Sequence, residues 1–337
     1  MLETTLEITG IEWAITLALI IGLFFLDLAI SGRRPHAVGF REAVFWSIFY
    51  ITAAILFGVA FGQLKGWDYG AEYFAGYIVE KSLSVDNLFV FVIIFATFAV
   101  PEKHQHKILT FGILLALVFR AIFIAVGAAL LSAFSFMFLV FGLILIVTAI
   151  KLFQHRDEDP SVEDNGLVRL TRRILPVTDT YDEGHFTTRV DGKKFFTPLF
   201  IVLIAVGSTD LLFALDSIPA VFGVTDSAYI VFVANAFALL GLRALFFLVK
   251  GLLDRLVYLS TGLALILAFI GVKLVLHWAH EAVNKDIPEI ATSTSLIFIG
   301  VVLVITTIAS LVKTKRDPTA KAHPGSLRSH PKEGPDH

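Results

Sequence analysis

Cysteine is absent from this chain, and methionine occurs only as Met1 and Met137. The first absence excludes disulfides, thiolate metal sites, iron–sulfur clusters and thiol nucleophiles. The second leaves nothing to build a soft thioether site for Cu⁺. Charge is scarce as well, at 17% of residues against about 25% in ordinary globular chains. It is nearly balanced, with 27 Lys and Arg against 29 Asp and Glu, so there is no basic excess to meet a nucleic acid. There is no Walker loop, no dinucleotide fingerprint and no haem-type histidine pair between apolar runs. Any energy coupling therefore has to come from an ion or the membrane potential. No catalytic residues stand out, and the chain reads as something other than an enzyme.

What is present is apolar. Hydrophobic residues make up 56% of the chain, with mean hydropathy +0.80. They gather in runs of about 20 residues, the length that crosses about 30 Å of hydrocarbon. Nine such runs are read, at 11–30, 44–61, 72–98, 108–131, 134–153, 197–222, 228–249, 256–278 and 295–312. The expected fold class is all-α, a polytopic membrane helix bundle of nine spans. Glu3, Glu7 and Glu12 stand where a cationic leader region would be, so the first run reads as a span, not a secretory signal. The 32 phenylalanines read as lipid-facing bulk. A long polar loop follows the fifth run and is expected to hold a short helix about 167–175. His104, His106, His155 and His185 fall in connections and read as solvated surface.

Basic residues gather in alternate connections. Arg33, Arg34 and Arg41 follow the first run, Lys103 and Lys107 the third, and seven fill the segment from Arg156 to Lys194. Lys250 and Arg255 follow the seventh run, and Lys313, Lys315 and Arg316 the ninth. The other connections offer only Lys65 and Lys285. The positive-inside rule then puts the N-terminus outside and the C-terminus in the cytoplasm. The tail is rich in Pro, Lys, His and Gly and reads as disordered.

Two stretches break the apolar pattern. Glu80-Lys-Ser-Leu-Ser-Val-Asp86-Asn87 lies in the third run and Asp210-Leu-Leu-Phe-Ala-Leu-Asp216-Ser217 in the sixth. A carboxylate in the bilayer centre costs about 2.5–3.5 kcal/mol even on lenient insertion scales, so two pairs need a reason. The following runs hold Leu117-Val-Phe-Arg120-Ala against Leu240-Gly-Leu-Arg243-Ala, then Gly142 and Lys151 against Gly262 and Lys273. Acid pair, arginine and lysine recur in one order. Three crossings end on the far side, so a repeated three-span unit emerges inverted, as in secondary transporters with a midplane site. The expected segments are two N-terminal helices in 1–71, repeats in 72–153 and 197–279, a cytoplasmic loop 154–196, a ninth span in 280–312 and the tail 313–337.

At about 100° per residue, acids six apart point about 120° away from each other. Either the helix is interrupted between them or each acid serves its own partner. Gly207-Ser208-Thr209 and Pro219 offer a break in the sixth run. Cation coordination or proton relay is the functional reading of the four acids. The bland one is pairing that holds the bundle, Glu80 or Asp86 with Arg120 and Asp216 with Arg243. For a cation, carboxylates with Ser, Asn and backbone oxygens suit hard ions such as Mn²⁺, Mg²⁺ or Ca²⁺. Ser82, Asn87, Thr209 and Ser217 are the neutral oxygens on hand, and Arg120 and Arg243 read as counter-charges. Asp27, near the end of the first run, is a lesser candidate. Lys151 and Lys273 read as snorkelling side chains, and Asn235 as a helix–helix hydrogen bond.

The motifs Glu80-Lys-Ser-Leu-Ser-Val-Asp86-Asn and Phe213-Ala-Leu-Asp216-Ser-Ile-Pro-Ala220 resemble those of the TerC family of integral membrane proteins, and most closely its alkali-inducible Alx-like branch. The likeness runs from Asp27-Leu and Arg33-Arg34 through Thr178-Asp-Thr180 and His185-Phe186 to Gly271-Val-Lys273. It implies a multi-span plasma-membrane (inner-membrane) protein, a relation to LysE-type exporters, and a tie to manganese export, metal homeostasis and tellurium resistance. Family acids carry over onto Glu80, Asp86, Asp210 and Asp216 as metal ligands. Many relatives have a glutamate where this sequence has Gly207. The expectation is export of a divalent cation, Mn²⁺ first and Ca²⁺ second, with no permanent cofactor. The partners expected are the bilayer, the ion, and other membrane or cytoplasmic proteins. A non-transporting scaffold in metal or tellurite stress, recruiting partners through the loop, and an oxyanion carrier using the arginines are the other readings.

Overall fold

The structure is a computed structural model that describes residues 6–32, 40–154, 170–171, 173–178, 184–190, 193–249 and 256–317. The expected disordered tail beyond residue 317 lies outside the described residues. So do Arg33, Arg34, Lys250, Arg255 and most of the polar loop.

Every apolar run forms helix because a backbone in hydrocarbon must satisfy its own polar groups. The helices are α1 (Gly10–Gly32), α2 (Phe40–Lys65), α3 (Trp67–Thr97), α4 (Glu102–Ala133), α5 (Phe136–Gln154), α6 (Pro198–Phe222), α7 (Ala228–Leu239), α8 (Leu242–Val249), α9 (Leu259–Ala282) and α10 (Thr292–Arg316). Among the described residues seven helices are long and apolar enough to cross a membrane, or eight counting α7 and α8 together as one bent span. The 31-residue α3 has the length but is not among them. It carries Asp68, Glu72, Glu80, Lys81 and Asp86.

Two features depart from the expected helices. The sixth run is one continuous helix through Gly207 and Pro219, not an interrupted one. The interruption falls in the seventh run instead. There α7 ends at Leu239, Gly241 takes a left-handed φ of +76°, and α8 leaves at 41° to α7. The expected all-α content is also incomplete. In the polar loop, residues 170, 171, 173 and 174 are helical, and β1 (Thr187–Val190) pairs antiparallel with β2 (Lys193–Phe196). The segment leading into this hairpin docks on the start of α4. Lys107 Nζ donates to Gly184 O (2.9 Å) and stands 4.8 Å from the Phe186 ring centroid.

The helices of 67–154 interlock with those of 198–282. α3 packs on α7, α4 on α6, α3 on α6, and α5 along α9. The last contact is reciprocal. A Cβ on Gly142 would lie 2.8 Å from the Gly271 carbonyl oxygen, and one on Gly271 would lie 2.8 Å from that of Gly142. Gly262, aligned with Gly142 in the sequence, faces Thr306 of α10 instead.

Candidate functional site

Near the middle of α4, Arg120 is 1% exposed and surrounded by oxygen. Its Nη1 donates to Glu80 Oε1 of α3, to Ser217 Oγ of α6 (3.1 Å) and to Asn235 Oδ1 of α7 (2.8 Å). Its Nη2 and Nε reach the two oxygens of Asp210 on α6, at 3.3 and 3.5 Å. Asn235 Nδ2 returns a bond to Glu80 Oε2 (3.0 Å), and Ser84 Oγ donates to Glu80 Oε1 (3.4 Å). Glu80 is 0% and Asp210 3% exposed, so water cannot replace these partners. Burial this deep explains the planar fork: only a guanidinium offers enough donors, in one rigid group, for two carboxylates at once.

Asp216 stands apart from this centre. It lies in the seam between α6 and α5, where Thr148 Oγ1 donates to its Oδ1 (2.9 Å). Asp210 and Asp216 therefore serve different partners, the second of the two options left by their 120° separation. Asp86 follows Glu80 on α3, and its side chain lies outside the described residues. Among the described residues no three His, Asp or Glu side chains group closely enough to hold a metal ion. Among the described side chains the centre holds two carboxylates, Glu80 and Asp210, whose companion oxygens are neutral, and Asp216 stands apart from it.

Arg243 does not meet Asp216 either. The bend at Gly241 carries it to the ends of α1 and α4. There its Nη2 donates to Asp27 Oδ1 (2.7 Å) and its Nη1 lies 2.7 Å from His106 Nε2. Tyr50 Oη of α2 also donates to Asp27 Oδ1 (3.1 Å). Asp27 is 7% exposed. His106 and the buried His104 are built into the structure, which corrects their reading as solvated surface. The fork in the seventh run leaves carbonyls without helical partners, and Lys81 Nζ donates to one of them, Ala238 O (3.0 Å).

The other candidates divide. Ser217 joins the centre as an acceptor for Arg120, and Asn87 is buried seven residues beyond Glu80 on α3. Ser82 and Thr209 turn back onto their own helices, bonding Ile78 O (2.6 Å) and Ala205 O (2.7 Å). Lys151 is exposed at the end of α5. Lys273 is half-buried in the field of Glu72, Asp226 and Glu289. Gly207 is buried, and a Cβ there would press on Leu115 at 2.7 Å, so a larger residue would have to displace that side chain. Asn235 is the member whose importance the sequence understated. A lone amide in an apolar run was its only signal. A cavity of about 540 Å³ between α5, α9 and α10 has an almost wholly apolar lining that includes Phe153, Leu265 and Val302, none of them a charged residue of the centre.

Comparison with known proteins came out consistently. The family described as "Integral membrane protein TerC family" matches residues 65–318. An uncharacterized membrane protein of Mycobacterium tuberculosis is 47% identical over 90% of this chain and 79% of its own length. One from Myxococcus xanthus is 41% identical over 92% of this chain and 95% of its own. A Salmonella typhi protein, provisionally named membrane-bound redox modulator Alx, is 37% identical over 93% and 98%. No solved structure matches.

Proposed function

This chain belongs to the TerC family of integral membrane proteins, and from that premise we propose that it is a transporter exporting a divalent cation, Mn²⁺ foremost. The observation that carries the reading is the meeting of Glu80 and Asp210, buried mid-helix on α3 and α6, around one guanidinium. Two carboxylates, a hydroxyl and an amide oxygen form a donor set for a hard cation. Asp86 and Asp216, six residues further along each helix, are taken as a second station on the ion's path.

The architecture proposed has nine spans, counting α3 and the bent α7–α8 pair. The units 72–153 and 197–279 are taken as inverted repeats. The reciprocal Gly142–Gly271 contact supports this, because a two-fold relation makes residue i touch j while j touches i. It also supports equating Gly142 with Gly271, not with Gly262. Alternating access is then a rocking of one repeat on the other. The basic connections support an inner membrane with N-terminus out and C-terminus in. Protons are the proposed counter-ion, because ligand carboxylates bind protons when a metal leaves.

A relative's name suggests redox modulation. With no cysteine in this chain, thiol–disulfide exchange through its own residues is not available to it.

Mn²⁺ uptake into inverted membrane vesicles is the test. Wild-type vesicles are expected to accumulate Mn²⁺, and Glu80→Gln and Asp210→Asn vesicles to fail. A variant that transports as wild type, at normal protein levels, overturns the assignment.

A further inference from the structure

The oxygens around Arg120 have a second property. Glu80 Oε1, Asp210 Oδ1 and Oδ2, Ser217 Oγ and Asn235 Oδ1 come from three helices and all point at one cation. That cation is already present, tethered to α4. A hard divalent ion asks for the same kind of ligand: two carboxylates supplemented by neutral oxygens. It cannot take these oxygens while the guanidinium holds them, since both bind the same lone pairs and repel each other at short range.

We propose that Arg120 is a built-in competitor for the transported cation: its guanidinium fills the oxygen cage of Glu80, Asp210, Ser217 and Asn235, and the ion enters by displacing it. The inference rests on the transporter reading above and deepens it. It assigns Arg120 a role different from a fixed structural brace. In the ion-free carrier the arginine bonds both carboxylates that join α3 to α6 and offsets one of their two charges, and a proton taken up in exchange for the metal offsets the other, so the empty protein can change its facing. When the ion occupies the cage the arginine withdraws, and when the ion leaves it returns. Ser217 and Asn235 make the exchange gradual, because they are neutral and hold either cation without demanding charge.

Asp216 does not share this cage. Its Oδ1 accepts from Thr148 Oγ1 of α5. Lys81, the nearest other cation along the chain, is committed to Ala238 O. Neither replaces Arg120 between the two carboxylates.

The test uses the full-length protein, purified and reconstituted in liposomes, as wild type and as Arg120→Ala. Removing the tethered cation is expected to tighten Mn²⁺ binding by about tenfold or more, since the repulsion between guanidinium and metal is lost. Free guanidinium ion should then compete with Mn²⁺ for the vacated cage in Arg120→Ala and leave wild-type binding unchanged. Net Mn²⁺ flux should stop in the variant, because the empty carrier lacks the arginine's compensating charge, while exchange of radioactive Mn²⁺ for Mn²⁺ continues. Guanidinium should restore net flux.

A structural brace predicts the opposite: weaker Mn²⁺ binding, with net flux and exchange lost together. Weaker binding in Arg120→Ala, or simultaneous binding of guanidinium and Mn²⁺, overturns the proposal. If the variant unfolds on its own, its melting in each cation decides. Restoration by Mn²⁺ and by guanidinium supports a shared cage, and restoration by neither defeats it. Wild-type protein that binds no Mn²⁺ defeats the transporter reading itself, a different result from wild-type binding that Arg120→Ala loses.

Discussion

Asn235 closes the charged centre, accepting from Arg120 at 2.8 Å and donating to Glu80 at 3.0 Å. In Asn235→Ala both groups stay buried and each loses one of its partners, which costs about 1–3 kcal/mol in all. Thermal melting in detergent should fall by at least about 3 °C. The acids should separate functionally as they do spatially. Asp210 shares the guanidinium with Glu80, whereas Asp216 bonds Thr148 across a helix seam. Measured in vesicles, Asp210→Asn should abolish Mn²⁺ uptake and Asp216→Asn should leave a measurable fraction. The sequence made these acids and Arg120 conspicuous because a charge in an apolar run is costly. It did not choose their partners. Whether Arg243 meets Asp216 or Asp27 depends on the direction of α8, which no pairwise rule supplies.

That direction is an element-scale fact, and its cause is one residue. The motif reads Leu117-Val118-Phe-Arg120 in α4 and Leu240-Gly241-Leu-Arg243 at the break. Val118 lies within a continuous helix, while Gly241 has φ +76° and its missing Cβ would stand 2.7 Å from Tyr50. Gly241→Ala should cost about 1–2 kcal/mol for the left-handed backbone, with the Tyr50 clash added, read as a lowered melting temperature. Val118→Gly, on the exposed side of α4, should cost about 1 kcal/mol. The glycine was visible in the sequence as the difference between two otherwise matched motifs, but similarity drew attention to the arginines instead. The continuous α6 shows the converse. Gly207 and Pro219 looked like breakers, yet its neighbours bury them within one helix. The α5–α9 contact gives a further test. Gly142→Ala and Gly271→Ala should each cost about 1–3 kcal/mol by forcing the same two helices apart. The double variant should cost less than the sum, because the second methyl enters a gap the first has opened.

Across the whole molecule the apolar runs located the helices to within a few residues, since bilayer thickness fixes span length. The hairpin at 187–196 was not legible, because a polar loop of mixed charge has no period to read. Orientation is open to direct test, and the missing cysteines make the chain a clean background. Asp68→Cys should react with a membrane-impermeant maleimide on intact spheroplasts, and Lys315→Cys only after permeabilisation. The reversed pattern would turn the protein over. Finally, the place where Gly142 and Gly271 face each other's carbonyl oxygens at 2.8 Å behaves as a fulcrum. A lever moves least at its support. Distances between probes flanking these glycines should stay constant through a turnover cycle, while those between the far tips of α5 and α9 lengthen at one membrane face as they shorten at the other.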